Sequence, residues 1–139
     1  MALEEESELE LIKSKIGFNS TIGRWVAEYP CIKDPNLLPN NSCVAIATLQ
    51  ATERRLLKDE RHAHLYSSQT QDMLDSHAAQ EISDSELKRY KGAQFYISHH
   101  AIMKPDSKSI PCRIVFNSSA KYHGYSLNDF LAKGPLLLN

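Results

Sequence analysis

Residues 94–117, QFYISHHAIMKPDSKSIPCRIVFN, constrain the fold most, because they read as a β-hairpin. Pro105-Asp106-Ser107-Lys108-Ser109 is a run of residues that fix or tolerate turn backbone. The first strand is expected from about Gln94 to Lys104, and the second from near Cys112 through Arg113-Ile114-Val115-Phe116. Strand side chains alternate between faces. Ala101, Met103, Ile114 and Phe116 then share an apolar face. His100, Lys104, Arg113 and Asn117 share the opposite one, given a register that sets Lys104 across from Arg113. Side-by-side cations are unfavourable unless an anion bridges them, and a phosphate is such an anion. The alternative is an ordinary solvated hairpin with two surface cations.

The rest of the chain is read in order. Residues 2–16 are Glu-rich, with Leu9, Ile12 and Ile16 at helical spacing. This is an acidic tail or a short helix, ordered only when packed. Gly23 to Pro30 alternates as a short strand that Pro30 ends or confines to an edge. Trp25, the one tryptophan of the sequence, is expected as a buried anchor, with stacking on a base as the alternative. Residues 33–41 are loop-like. Ser42 to about Lys58 is a helix with an apolar stripe of Ala45, Leu49 and Leu56 flanked by Val44 and Ala47, which Asn41 or Ser42 can cap. Asp59-Glu60 starts a second helical stretch to about Ala79, with Leu65, Tyr66, Gln69, Met73 and Leu74 inward; one bent helix and two helices both fit. Ser83-Asp84-Ser85-Glu86 has the spacing of a capping box, placing a third helix from Asp84 to about Tyr90, stopped by Gly92.

Composition excludes several classes. With 42% hydrophobic and 24% charged residues, the chain has an ordinary soluble composition. No apolar run approaches the roughly 20 residues that span a bilayer, and the acidic start is neither a signal nor a transit peptide. Cys31, Cys43 and Cys112 are too scattered for a disulfide framework or a Cys-x-x-Cys site, so an intracellular setting, cytoplasmic or nuclear, is the default. Residues 1–85 carry a net charge of −6 and residues 86–139 one of +5, and the basic part suits a phosphate-rich partner. His62 and His64 diverge on a helix, and His99 and His100 face opposite sides of a strand, so neither pair suits a metal. Asp106, Asp129 and Glu86 lack the pairing that acid–base catalysis needs. No catalytic residue and no metal ligand is assigned.

The C-terminal third resembles the opening of the reverse transcriptase of BEL/Pao long-terminal-repeat retrotransposons. The matching order is His99-His100-Ala101, Lys104-Pro105-Asp106-Ser107, Arg113-Ile114-Val115-Phe116, Ser118-Ser119-Ala120-Lys121, Ser126-Leu127-Asn128-Asp129 and Gly134-Pro135. Looser marks upstream are Gly23-Arg24-Trp25, Tyr29-Pro30, Glu53-Arg54-Arg55-Leu56, Tyr66 and Met73. The resemblance implies an α+β chain: a helical lead-in, a fingers-type β-hairpin and a short C-terminal helix. Its expected parts are residues 1–20, an acidic tail or short helix; residues 21–92, a short strand plus the helical lead-in; and residues 93–139, the start of the fingers, ending before the palm.

By the same resemblance, Lys104 and Arg113 contact the phosphates of an incoming nucleotide and Lys121 touches template backbone. The partners implied are nucleoside triphosphate and nucleic acid, both weakly held, and the palm portion of the polyprotein, with no membrane. Polymerase chemistry needs two divalent ions held by aspartates that lie downstream in the family. The chain therefore carries no cofactor itself, and Mg²⁺ is expected for the complete polymerase alone. Asn117 stands where many relatives have Asp. Ser126 is expected to cap the last helix, Leu127, Phe130 and Leu131 to pack it under the hairpin, and Leu136-Leu137-Leu138 to form an exposed apolar end. The reading from a different class is a non-catalytic protein-interaction module or a domesticated remnant.

Overall fold

The computed structural model describes residues 3–104 and 106–135. It is an α+β structure in which four α-helices accompany two separate antiparallel hairpins. The order is α1 (Leu3–Ser14), β1 (Ile16–Asn19), β2 (Arg24–Ala27), a 3-10 turn at Pro35–Leu37, α2 (Ser42–Leu56), α3 (Glu60–Asp75), α4 (Asp84–Arg89), β3 (His99–Met103), β4 (Cys112–Phe116) and a 3-10 helix at Leu127–Phe130. No described helix is long and apolar enough to cross a membrane.

The helices start where side chains can cap them. Asp59 accepts the His62 N–H at 3.0 Å and opens α3. Ser83 and Glu86 form the reciprocal capping box that opens α4. The helical stretch after Ser42 is two helices, broken at Leu57–Asp59. α3 stops at Asp75, short of Ala79, because His77 adopts a left-handed backbone at φ 58°. α4 likewise ends before Gly92, with Tyr90 already extended.

At the N-terminal end one expectation is met, a short helix ordered by packing, and two are corrected. Residues 3–14 are helical, and the helix is packed: the Glu8 carboxylate accepts the N–H groups of Lys133 and Gly134 at 2.8 and 2.9 Å. Gly134 suits that contact because its φ is +67° and a Cβ there would stand 3.2 Å from Ile12. The strand at Arg24–Ala27 pairs with a second strand, β1, that the sequence reading did not separate from the tail. Trp25 is 73% exposed. Its ribbon has two strands, and its ring meets Phe18 edge-on at 5.6 Å.

The second hairpin keeps its expected faces and changes its register. β3 runs over His99–Met103 only. Arg113 lies opposite Ile102, and Lys104 donates its N–H to the Pro111 carbonyl at 2.7 Å. Lys104 is thus displaced by two residues from the position across from Arg113. The loop closes early because Ser107 N–H bonds the Lys104 carbonyl and the Ser107 hydroxyl takes the Ile110 N–H. Pro105 of the turn lies outside the described residues, as do Leu136-Leu137-Leu138.

The core is thin: Cys112 and Phe130 are 1% exposed and Leu38 8%. On α2 the half-buried or buried positions are Ser42, Ala45, Thr48, Thr52 and Leu56, while Val44, Ala47 and Leu49 are exposed. Thr48 and Thr52 can line that face because each hydroxyl bonds the carbonyl four residues back. Leu65, Tyr66, Gln69, Met73 and Leu74 of α3 are all at least half-covered, as their spacing implied. Ser126 caps the last 3-10 helix through Asp129 N–H and seats Phe130 in the core.

A polar clamp joins the helices to the hairpin. Asn41, 6% exposed, donates through Nδ2 to the Tyr96 carbonyl at 2.9 Å and accepts the Tyr96 N–H at 2.6 Å. Its side chain therefore does not cap α2; Asn40 Oδ1 takes the Ser42 N–H instead. The same clamp explains why β3 does not reach back to Tyr96: the amide stands where a strand would. Asn41→Ala is expected to lower stability by about 1–3 kcal/mol, the cost of stranding two backbone groups. Asn41→Asp should match that loss at neutral pH, where the carboxylate meets the Tyr96 carbonyl. It should recover part of the loss relative to the parent as acid protonates the new side chain. Denaturant melts at two pH values check both.

Candidate functional site

The two sides of the β3–β4 hairpin differ in chemistry because the alternation sorts them. α3 packs on β4, and Cys112 is buried on that side. His99, Ala101, Met103, Ile114 and Phe116 share the parity of Cys112. The other side carries His100, Ile102, Lys104, Arg113, Val115 and Asn117, of which all but Val115 are exposed. Lys104 and Arg113 lie on it as diagonal neighbours, a placement that separates Cβ atoms by about 7–8 Å or somewhat less. Long side chains can close on a shared anion from that distance. Neither cation forms an ion pair with a described carboxylate.

Lys121 is not gathered with them. Its ammonium sits 3.8 Å from the Asp129 carboxylate, both ends open to water. Asp129 is held below the usual carboxylate range, first by the Ser126 hydroxyl and then, against some burial, by Lys121 and Lys33. Asn117, where a charge was in question, accepts the Ser119 hydroxyl at 2.8 Å and makes a turn rather than a pair. Asn128 is structural: its N–H bonds the Ser118 carbonyl, and its side chain accepts the Ser118 hydroxyl.

On the helix-covered side the sequence reading missed a cluster. Tyr66 of α3 and His99 of β3 stack at 5.8 Å, with the phenol oxygen 2.6 Å from His99 Nε2. Burial, and secondarily His100, lowers the His99 pKa, so the ring is neutral. Burial raises Tyr66, with Cys112 adding to it, so the phenol keeps its proton. The phenol therefore donates to Nε2, and the imidazole carries its own proton on Nδ1. Burial also raises Cys112, which keeps it a thiol rather than a nucleophile. The cluster is a latch between α3 and the hairpin. The signal for it was the strand alternation, which put His99 on the covered face. Among the described residues no three His, Cys, Asp or Glu side chains converge in a way that could hold a metal ion.

Comparison with protein families, with characterised proteins and with solved structures found no match.

The latch has a pH signature. A base whose folded pKa is lowered makes the unfolded chain bind the extra proton first, so stability falls as pH drops below about 6.5. His99→Gln, which can still accept from Tyr66 but does not titrate, should flatten the stability profile below about pH 6.5. Glu8, Glu86 and Asp129, all lowered by hydrogen bonds, lose their contribution in a more acid window, below the carboxylate range. Unfolding midpoints of parent and variant across pH separate the two windows.

Proposed function

We propose that this chain is the fingers portion of a BEL/Pao-type retrotransposon RNA-directed DNA polymerase, a unit that contacts phosphates of nucleotide and template. The reading is carried by Lys104 and Arg113, which share an uncovered sheet face without a described carboxylate to neutralise either. The ordered motifs from His99 to Pro135 support it. On that face Lys104 is a mobile point charge and Arg113 a planar fork that can grip two phosphate oxygens. Lys121 reaches a template backbone after leaving Asp129, a water-exposed pair that holds it weakly.

In a complete polymerase two Mg²⁺ ions clamp the attacking and leaving oxygens. The side chains described here do not converge on such a site, and no step is assigned to them through metal. The purified chain is expected to incorporate no nucleotide with any template, primer and Mg²⁺. Metal-dependent incorporation by a contaminant-free sample would overturn the assignment.

A protein-interaction module is the second reading, favoured by the exposed Phe18, Trp25 and Tyr29. Salt distinguishes the two. Phosphate contacts release counterions and give retention on an oligonucleotide that falls steeply with ionic strength, whereas a protein-binding module gives no retention. Each charged contact is worth at most about 1.5–3 kcal/mol and less in water. Arg113→Lys should weaken binding more than Lys104→Arg, because only the first loses the fork. Unchanged nucleotide and oligonucleotide binding by the double alanine variant would make the hairpin plain scaffold.

A further inference from the structure

β3 has a free edge. The bonds from Asn117 N–H to Ser98 and from Lys104 N–H to Pro111 fix which residues face β4: Ser98, His100, Ile102 and Lys104. In an antiparallel pair the alternate residues point their N–H and C=O groups the other way. These are His99, Ala101 and Met103, and no described residue bonds their backbone on that side. Phe95 and Ile97, just before β3, are also without a backbone partner among the described residues. α3 lies along β4, and a groove of about 300 Å³ separates α2 from residues 96–99.

Natural edges are blunted by lysine, proline, a bulge or a covering loop. Residues 94–103, QFYISHHAIM, contain neither lysine nor proline, and β3 pairs without a bulge. A lone two-stranded hairpin is marginal in water and gains from a third strand. The chain also exposes 10970 Å², about half as much again as the roughly 7,300 Å² expected for a compact protein of 15.7 kDa. A standard interface removes about 600–1,000 Å² from each partner, well within that excess.

We infer that the open edge of β3 is a self-association surface, on which β3 of a second copy adds antiparallel across a two-fold axis. The edge is complementary to itself. Each outward residue offers one donor and one acceptor, and an antiparallel copy returns both. Outward residues pair with outward residues, so each face of the sheet continues across the axis. The result is a four-stranded sheet ordered β4-β3-β3-β4. One face carries both copies of α3, and the other carries two Lys104–Arg113 pairs. A net charge of −1 opposes the approach little. This inference stands whether or not those cations hold phosphate.

The test uses the full chain over a concentration series, with mass read by light scattering and amide exchange read residue by residue. The expected result is a dimer in which the His99, Ala101 and Met103 amides gain protection as the dimer forms. Ala101→Pro removes an outward N–H and leaves the ladder to β4 intact, so it should abolish the dimer while the circular dichroism is kept. A parent that stays monomeric throughout overturns the inference. So does a dimer whose three outward amides remain unprotected, or one that Ala101→Pro leaves intact. Should that variant unfold, amide protection in the parent decides.

Discussion

The structure depends on the two hydrogen bonds by which Asn41 holds the backbone of Tyr96. They span 55 residues and are the point where the helical lead-in grips the hairpin. An amide side chain presents one donor and one acceptor in a plane, the same face a peptide group offers in a ladder. Asn41 therefore ends the strand without leaving Tyr96 unpaired, and its burial removes the competing water. Leu38 and Thr52 are buried on either side of Asn41 in the sequence, so a polar residue rather than an apolar one sits at the junction. Such a contact sets register as well as energy, because a shift of one residue would present Ile97, whose groups point the other way.

A second closure ties the ends. Ile32 N–H bonds the Phe130 carbonyl, and Ala132 N–H bonds the Pro30 carbonyl, so Cys31 and Leu131 face each other in a short bridge. Glu8 adds its bonds to Lys133 and Gly134 one step further along. Phe130 is sealed between these strands, with Lys33 above its ring and Tyr125 beside it. In place of one large core there are small apolar knots, each fastened by backbone polar groups. That pattern explains how α1 is ordered although none of its residues is buried.

Local chemistry was legible in the sequence. The capping box at Ser83–Glu86, the cap at Ser126 and the alternation of the hairpin faces all follow from neighbours a few residues apart. What was not legible depends on distant contacts. The hairpin register turns on Lys104 reaching Pro111, through a loop that Ser107 closes from inside. Asn41 has the composition of a cap, and nothing near it in sequence says that its amide is spent on Tyr96. Trp25 is the sharpest case: hydrophobicity says inside, yet burial needs a partner surface over the ring, and the ring stays exposed with Phe18 edge-on beside it. The site stands between these extremes. That Lys104 and Arg113 share a face follows from parity alone, while their diagonal offset required the register.

Thinness connects the candidate site to the free edge. A sheet of two strands can be covered by a helix on one face, and α3 takes the face of Cys112 and His99. The opposite face then remains wet, which keeps the Lys104 and Arg113 charges solvated and available, and costs little because Ile102 is its most apolar exposed member. Width is the remaining dimension. With β4 on one side of β3, the other side keeps a row of backbone groups that no described residue bonds. A third strand there would bury those groups without touching the cationic face. The demands of anion contact and of strand addition therefore fall on perpendicular directions of the same hairpin, and satisfying one does not compromise the other.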